Sequence, residues 1–179
     1  EHMRPTPHWL AEYILEETEG NPLFVSAMVE ALKADVDSPP PSLKETVRRQ
    51  LEGLGQDARS LLCALALNGE PISIATVCDA AGLESDRAYD ALRILSAEDI
   101  ADLATMGDGR AFVAGAHEPL LALVRTHVDE PKTWHRRLAA AHQKNKGPAH
   151  LIEHHWRQAD DVEQASVFAR QEAERARAD

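Results

Sequence analysis

The stretch IADLATMGDGRAFV, residues 100–113, decides the fold. Ile100, Leu103, Phe112 and Val113 flank Met106, Gly107, Asp108 and Gly109, and Asp-Gly between apolar runs is among the strongest short hairpin signals. Before it the apolar residues recur at helical spacing. Val47, Leu51 and Leu54 make one amphipathic face. A second helix carries Leu61, Leu62, Leu65 and Ala66, with Asp57 as its cap and Asn68-Gly69 as its stop. The short segment Ile72, Ser73, Ile74 leads into a third helix around Val77 to Ala81, stopped by Gly82. Ser85 caps a fourth through Tyr89, Leu92 and Leu95. Short helices followed by one β-hairpin are the order of a winged helix-turn-helix over residues 43–128.

Outward from that domain the pattern stays helical. Residues 1–3 read as a cloning remnant. Residues 4–34 form a helical lid segment broken at Gly20-Asn21-Pro22, where glycine and proline stop one helix and start the next. Residues 35–42 hold three consecutive prolines and form a linker. Ser42 and Glu45 have the spacing of a capping box. Residues 129–179 form helices separated at Pro131, Gly147-Pro148 and Asp160-Asp161. The last two resemble one unit of a tetratricopeptide-like repeat, which without a neighbour exposes an apolar face. The C-terminus stops inside a helical pattern, as a fragment does.

Composition narrows the function classes. Apolar residues are 44% of 179 and aromatics only 4%, with alanine and leucine dominant, so the fold class is mainly α. The net charge of −11 argues against a general nucleic-acid or anionic-membrane surface. No apolar stretch approaches the roughly 20 residues of a membrane span, and neither a signal peptide nor a location outside the cytoplasm is expected. Cys63 and Cys78 fall in apolar helical patterns and are expected as buried thiols without a bridge.

Three segments, in order, resemble one family. Glu17 to Val25, ETEGNPLFV, is similar to the segment that follows the nucleotide-binding core of STAND signalling ATPases. Ser42 to Leu51, with Gly53, Leu54, Ala58 and Arg59, resembles the opening of that family's winged helix. Leu151 to Trp156, through Ala165, resembles its first helical repeat. Maltose-activator-like and LuxR-type regulators belong here, so the resemblance implies signal transduction and transcription regulation.

The resemblance further implies that Gly20 and Pro22 lie against the adenine of a bound nucleotide in the intact protein. The alternative is a helix-breaking Gly-Asn-Pro with no ligand. Ala116-His117-Glu118 resembles a Met-His-Asp motif whose histidine touches the β-phosphate of ADP, with alanine and glutamate in place of methionine and aspartate. A partly buried N-cap is the alternative for His117. No G-x-x-x-x-G-K-[ST] loop and no Mg²⁺-holding strand terminus occur, so no catalytic residue and no resident cofactor are expected in this chain. ATP or ADP with Mg²⁺ is implied for the intact protein. The partners implied are an upstream nucleotide-binding core and downstream repeat or effector domains of the same protein.

Other signals compete. His150, Glu153 and His154 match H-x-x-E-H, an inverted zinc-protease pattern, but a third ligand is lacking and no metal is expected. A DNA-binding regulator would read with residues 85–97, whose Arg87 and Arg93 stand against Asp86 and Asp90, a poor groove reader. Trp134 is expected in the core, with His135, Arg136 and Arg137 on a solvated face. A nucleotide-independent interaction scaffold, using the terminal helices, is the remaining alternative.

Overall fold

A computed structural model of the chain describes residues 8–18, 20, 25, 26, 28, 29, 51–105, 111–116 and 118–178. The chain divides into two compact units, Glu1–Leu54 and Gly55–Asp179. In the first, helix α1 (His8–Thr18) closes with the Thr18 hydroxyl donating to the Ile14 carbonyl at 2.6 Å. The linker at 35–42 and the Ser42–Glu45 capping box lie outside the described residues.

The second unit is mainly α with a small antiparallel sheet. Its order is α2 (Gln56–Asn68), β1 (Ile72–Ser73), α3 (Ile74–Ala81), α4 (Ser85–Ala97), β2 (Ala101–Thr105), β3 (Ala111–Gly115), α5 (Glu118–Arg125), α6 (Pro131–Lys144), α7 (Ala149–Gln158) and α8 (Val162–Ala178).

Local chemistry accounts for most boundaries. Gly69, at φ +72°, takes the left-handed conformation that closes α2, and its N–H reaches the Leu65 carbonyl at 3.2 Å. Ser73 caps α3 by accepting the Thr76 N–H at 3.1 Å. Pro131 occupies the first turn of α6, where no N–H is needed. Asp161 accepts the Gln164 N–H at 3.1 Å and starts α8. Two cap expectations are corrected. Gly55, not Asp57, precedes α2; Asp57 sits inside the first turn, where it favours the helix dipole and receives two hydrogen bonds from Arg87, at 2.6 and 2.9 Å. Glu84, not Ser85, is the cap position of α4.

The sheet exceeds the expected hairpin by one strand. β3 lies between β2 and β1, with Val113 opposite both Leu103 and Ile72. Two residues are too few for a periodicity signal, which is why Ile72 and Ser73 read as a connector. Val113 and Ile72 are fully buried, whereas Leu103 on the edge strand is half exposed. Thr105 and Ala111 are the last described pair, and the Met106–Gly109 turn lies outside the described residues.

The core runs through Leu61, Leu62 and Leu65 of α2, Val77 of α3, Leu92 and Leu95 of α4, Leu120 of α5 and Leu138 of α6. Each such side chain contributes about 1.5–3 kcal/mol by leaving water. α6 packs on α3 and α2, α7 on α6, and α8 on α7. Residues on either side of Val128 therefore share one core. On α8, Val162 is 73% exposed and Val167 is exposed.

Gly115 permits the packing of α5 on β3. A β-carbon there would collide with both methyls and Cγ of Leu121. Gly115→Ala is expected to lower unfolding free energy by about 1–3 kcal/mol through overpacking. Urea denaturation would measure this, and Leu121→Ala in the same chain should relieve the clash.

Candidate functional site

The most distinctive chemistry of the second unit is a buried chain of one asparagine and three histidines. Asn68, the last residue of α2, is 4% exposed; His135, His142 and His155 are 8%, 3% and 0% exposed. His135 and His142 stand two turns apart on α6, on the face that also carries Leu138 and Ala139. His155 lies on the face of α7 that carries Leu151 and Ile152. Helical spacing thus aims all three imidazoles at the end of α2.

The orientation of the Asn68 amide assigns the tautomers of the cluster. Asn68 Nδ2 donates to the Glu70 carbonyl at 2.8 Å, so Oδ1 is the acceptor facing the rings. His142 Nε2 lies 2.7 Å and His155 Nε2 3.2 Å from that oxygen, so both carry N–H there. Neutral His155 then offers a lone pair at Nδ1, which accepts from His135 Nδ1 at 2.9 Å. His135 is left with its lone pair on Nε2. His142 Nδ1 keeps a buried lone pair without a partner, against Gly147.

The rings also touch face and edge. His142 stacks on His155 at a centroid distance of 5.6 Å, and His154 meets His155 edge-on at 5.2 Å. Burial first, and nearby His154, push His135 down to about 4. Burial and His150 hold His142 at about 4 against an opposing pull from Glu70. Burial and the three surrounding histidines push His155 lower still. All three are neutral at pH 7.

Beside the cluster a 470 Å³ pocket is walled by Asn68, Glu70, Arg125, His135, His150 and His154 among others. His150 Nε2 lies 3.6 Å from Glu70 Oε2, and Arg125 is bound to Glu118 at 2.6 Å. Glu153, the carboxylate of the H-x-x-E-H pattern, is taken by Arg157. Among the described residues, no group of three or more His, Cys, Asp or Glu converges to hold a metal ion. A broader open groove lies between α3, β1 and the α6–α7 turn.

Gly20, one of the residues expected at a nucleotide, is exposed at φ +74°, with its N–H 3.3 Å from Thr18 Oγ1. Pro22 and His117 lie outside the described residues. The expectation for residues 134–137 is corrected: His135 is buried, whereas Trp134 is half-buried with the Arg137 guanidinium 5.3 Å over its ring. Placing both on one helix period with Leu138 and Ala139 would have singled out His135, and Leu151–Ile152 would have singled out His155 over His154. Cys63 and Cys78 are free thiols, and burial raises the pKa of each. No helix among the described residues is long and apolar enough to cross a membrane. No protein-family model matches the chain, and its sequence matches no curated protein.

Proposed function

We propose that the chain is the lid, winged helix and first helical repeat of a STAND-type signalling ATPase of the cytoplasm. In this reading it responds to ADP or ATP, with Mg²⁺, on an upstream core and relays that state to downstream repeat or effector domains. Gly20 and Pro22 contact the adenine, and His117 contacts the β-phosphate of ADP. The observation that supports a relay is the Asn68 hub, which ties α2 to α6 and α7. A displacement of the winged helix then carries the following helices with it, as two-state signalling requires.

The DNA-reading alternative finds less support. Both arginines of α4 are engaged by carboxylates, Arg87 by Asp57 at 2.6 Å and Arg93 by Asp90 at 3.4 Å. A helix whose cations are already paired offers phosphate little field.

The test uses the longer natural protein, including the sequence that precedes Arg4. ADP is expected to co-purify with it, and His117→Ala should weaken ADP binding about tenfold, the worth of one charge-assisted hydrogen bond. Unchanged ADP binding would remove His117 from the site. The absence of both nucleotide and a phosphate loop would overturn the reading.

A further inference from the structure

We propose that the Asn68–histidine cluster is an acid-sensitive latch, in which proton uptake by its imidazoles releases α6, α7 and α8 from α2 and α3 while α4 and the sheet stay packed. The device is independent of any nucleotide.

Each hydrogen bond in the cluster runs in one direction. Every contact in the cluster uses a neutral imidazole, and Asn68 Oδ1 is the single side-chain acceptor the rings share. A proton added to His155 Nδ1 would set one N–H against the N–H of His135 across 2.9 Å. A proton added to His142 Nδ1 would point at Gly147, where no acceptor stands. A proton on His135 Nε2 would charge a ring beside His154, whose centroid is 6.1 Å away, and beside the pocket wall that holds Arg125. A buried charge without a partner is expelled.

Among the described residues, the surroundings do not supply the missing acceptor. From the loop after α2 comes Glu70, which faces His150 and is half exposed. From α5 comes Arg125, already held by Glu118. On α3, Asp79 is occupied by Lys144 and Asn145, both at 2.7 Å. On α6, Lys132 is paired with Asp160, Arg136 reaches the Ala159 carbonyl, and Arg137 lies over Trp134. On α7, His150 and His154 are exposed and Glu153 is bound to Arg157. On α8, Glu163 and Arg170 are exposed. Cations and further histidines outnumber free carboxylates around the rings. The 470 Å³ pocket beside His135 brings water to the edge of the cluster.

The geometry also explains which part leaves. This cluster and exposed ion pairs such as Lys144–Asp79 link α6 and α7 back to α2, α3 and the loop between them, and exposed pairs contribute little. Release of α6 uncovers the part of the shared core that Leu138 and Ala139 cover, while Leu61, Val77, Leu92 and Val113 still pack among α2, α3, α4 and β3. α8 packs on α7 and travels with it.

Hydrogen exchange of this chain at pH 7.0 and pH 5.5, each normalised to intrinsic rates, tests the latch. Opening of α6 and α7 should rise about tenfold for each histidine freed to protonate at its ordinary value, up to about a thousandfold for three. α4 and β3 should change by less than about threefold. The triple variant His135→Gln, His142→Gln and His155→Gln keeps donors and acceptors but cannot titrate, and should lose the acid response. Should that variant not fold, the single variants His142→Gln and His155→Gln should each lower the acid acceleration of α6 and α7 about tenfold. Equal acceleration in α4 and α6, no acceleration in α6, or an acid response surviving in the triple variant or undiminished in the single ones would overturn the latch.

Discussion

Asn68→Ala is expected to lower the unfolding free energy of the Gly55–Asp179 unit by about 3–5 kcal/mol. The substitution leaves the Nε2–H groups of His142 and His155 buried without an acceptor, and frees the Glu70 carbonyl from its donor. An unsatisfied buried donor costs about 1–3 kcal/mol, so two donors set the scale. Neither ring can turn outward cheaply, because His155 is 0% and His142 3% exposed. Urea denaturation at pH 7.5, followed through Trp134 and Trp156 on α6 and α7, measures the loss. A change below about 1 kcal/mol would mean that the hub carries no load. For a domain of about 5–15 kcal/mol total stability, the expected loss is a large fraction.

Acidification from pH 7.5 to pH 5.5 should cost about 4 kcal/mol. The folded protein holds His135 and His142 at about 4 and His155 lower still, against an ordinary value of 6.5. Between those values the unfolded chain binds more protons than the folded one, so stability rises with pH. It is fully present above about pH 7 and is lost as pH falls through 6.5 towards 4. Each histidine contributes about 1.4 kcal/mol over the first unit below its ordinary value, and three give the total. Carboxylates such as Asp79, lowered by its bonds to Lys144 and Asn145 against the opposing effect of burial, add a loss only at more acid pH. Urea midpoints at the two pH values report the difference, and the triple glutamine variant should be nearly flat. A wild-type midpoint that does not move would show that the rings are solvated and titrate normally.

These two effects share a cause that the sequence displays only in part. Helical spacing alone puts His135, Leu138, Ala139 and His142 on one face, and Leu151, Ile152 and His155 on another. The partner at the other end is not local. Asn68 is separated from His142 by 74 residues and from His155 by 87, and in sequence it reads as half of an Asn-Gly stop. Gly69 does stop the helix, but the asparagine beside it serves a different purpose.

The amino-acid sequence by itself determined the mainly α class, the helix ends at Gly69 and Gly82, a hairpin whose arms carry Leu103 and Phe112–Val113, and the free thiols. These follow from neighbouring residues, through periodicity, left-handed glycine and turn chemistry. Tertiary structure alone decided that Ile72 and Ser73 become a third strand, that Asp57 pairs with Arg87 instead of capping α2, and that His135 is buried in place of a solvated face. It also decided that Asn68 gathers three imidazoles into one neutral chain. Pairing across a sheet, burial of a polar ring and the sharing of one acceptor depend on which distant surfaces meet, and no local pattern encodes that meeting.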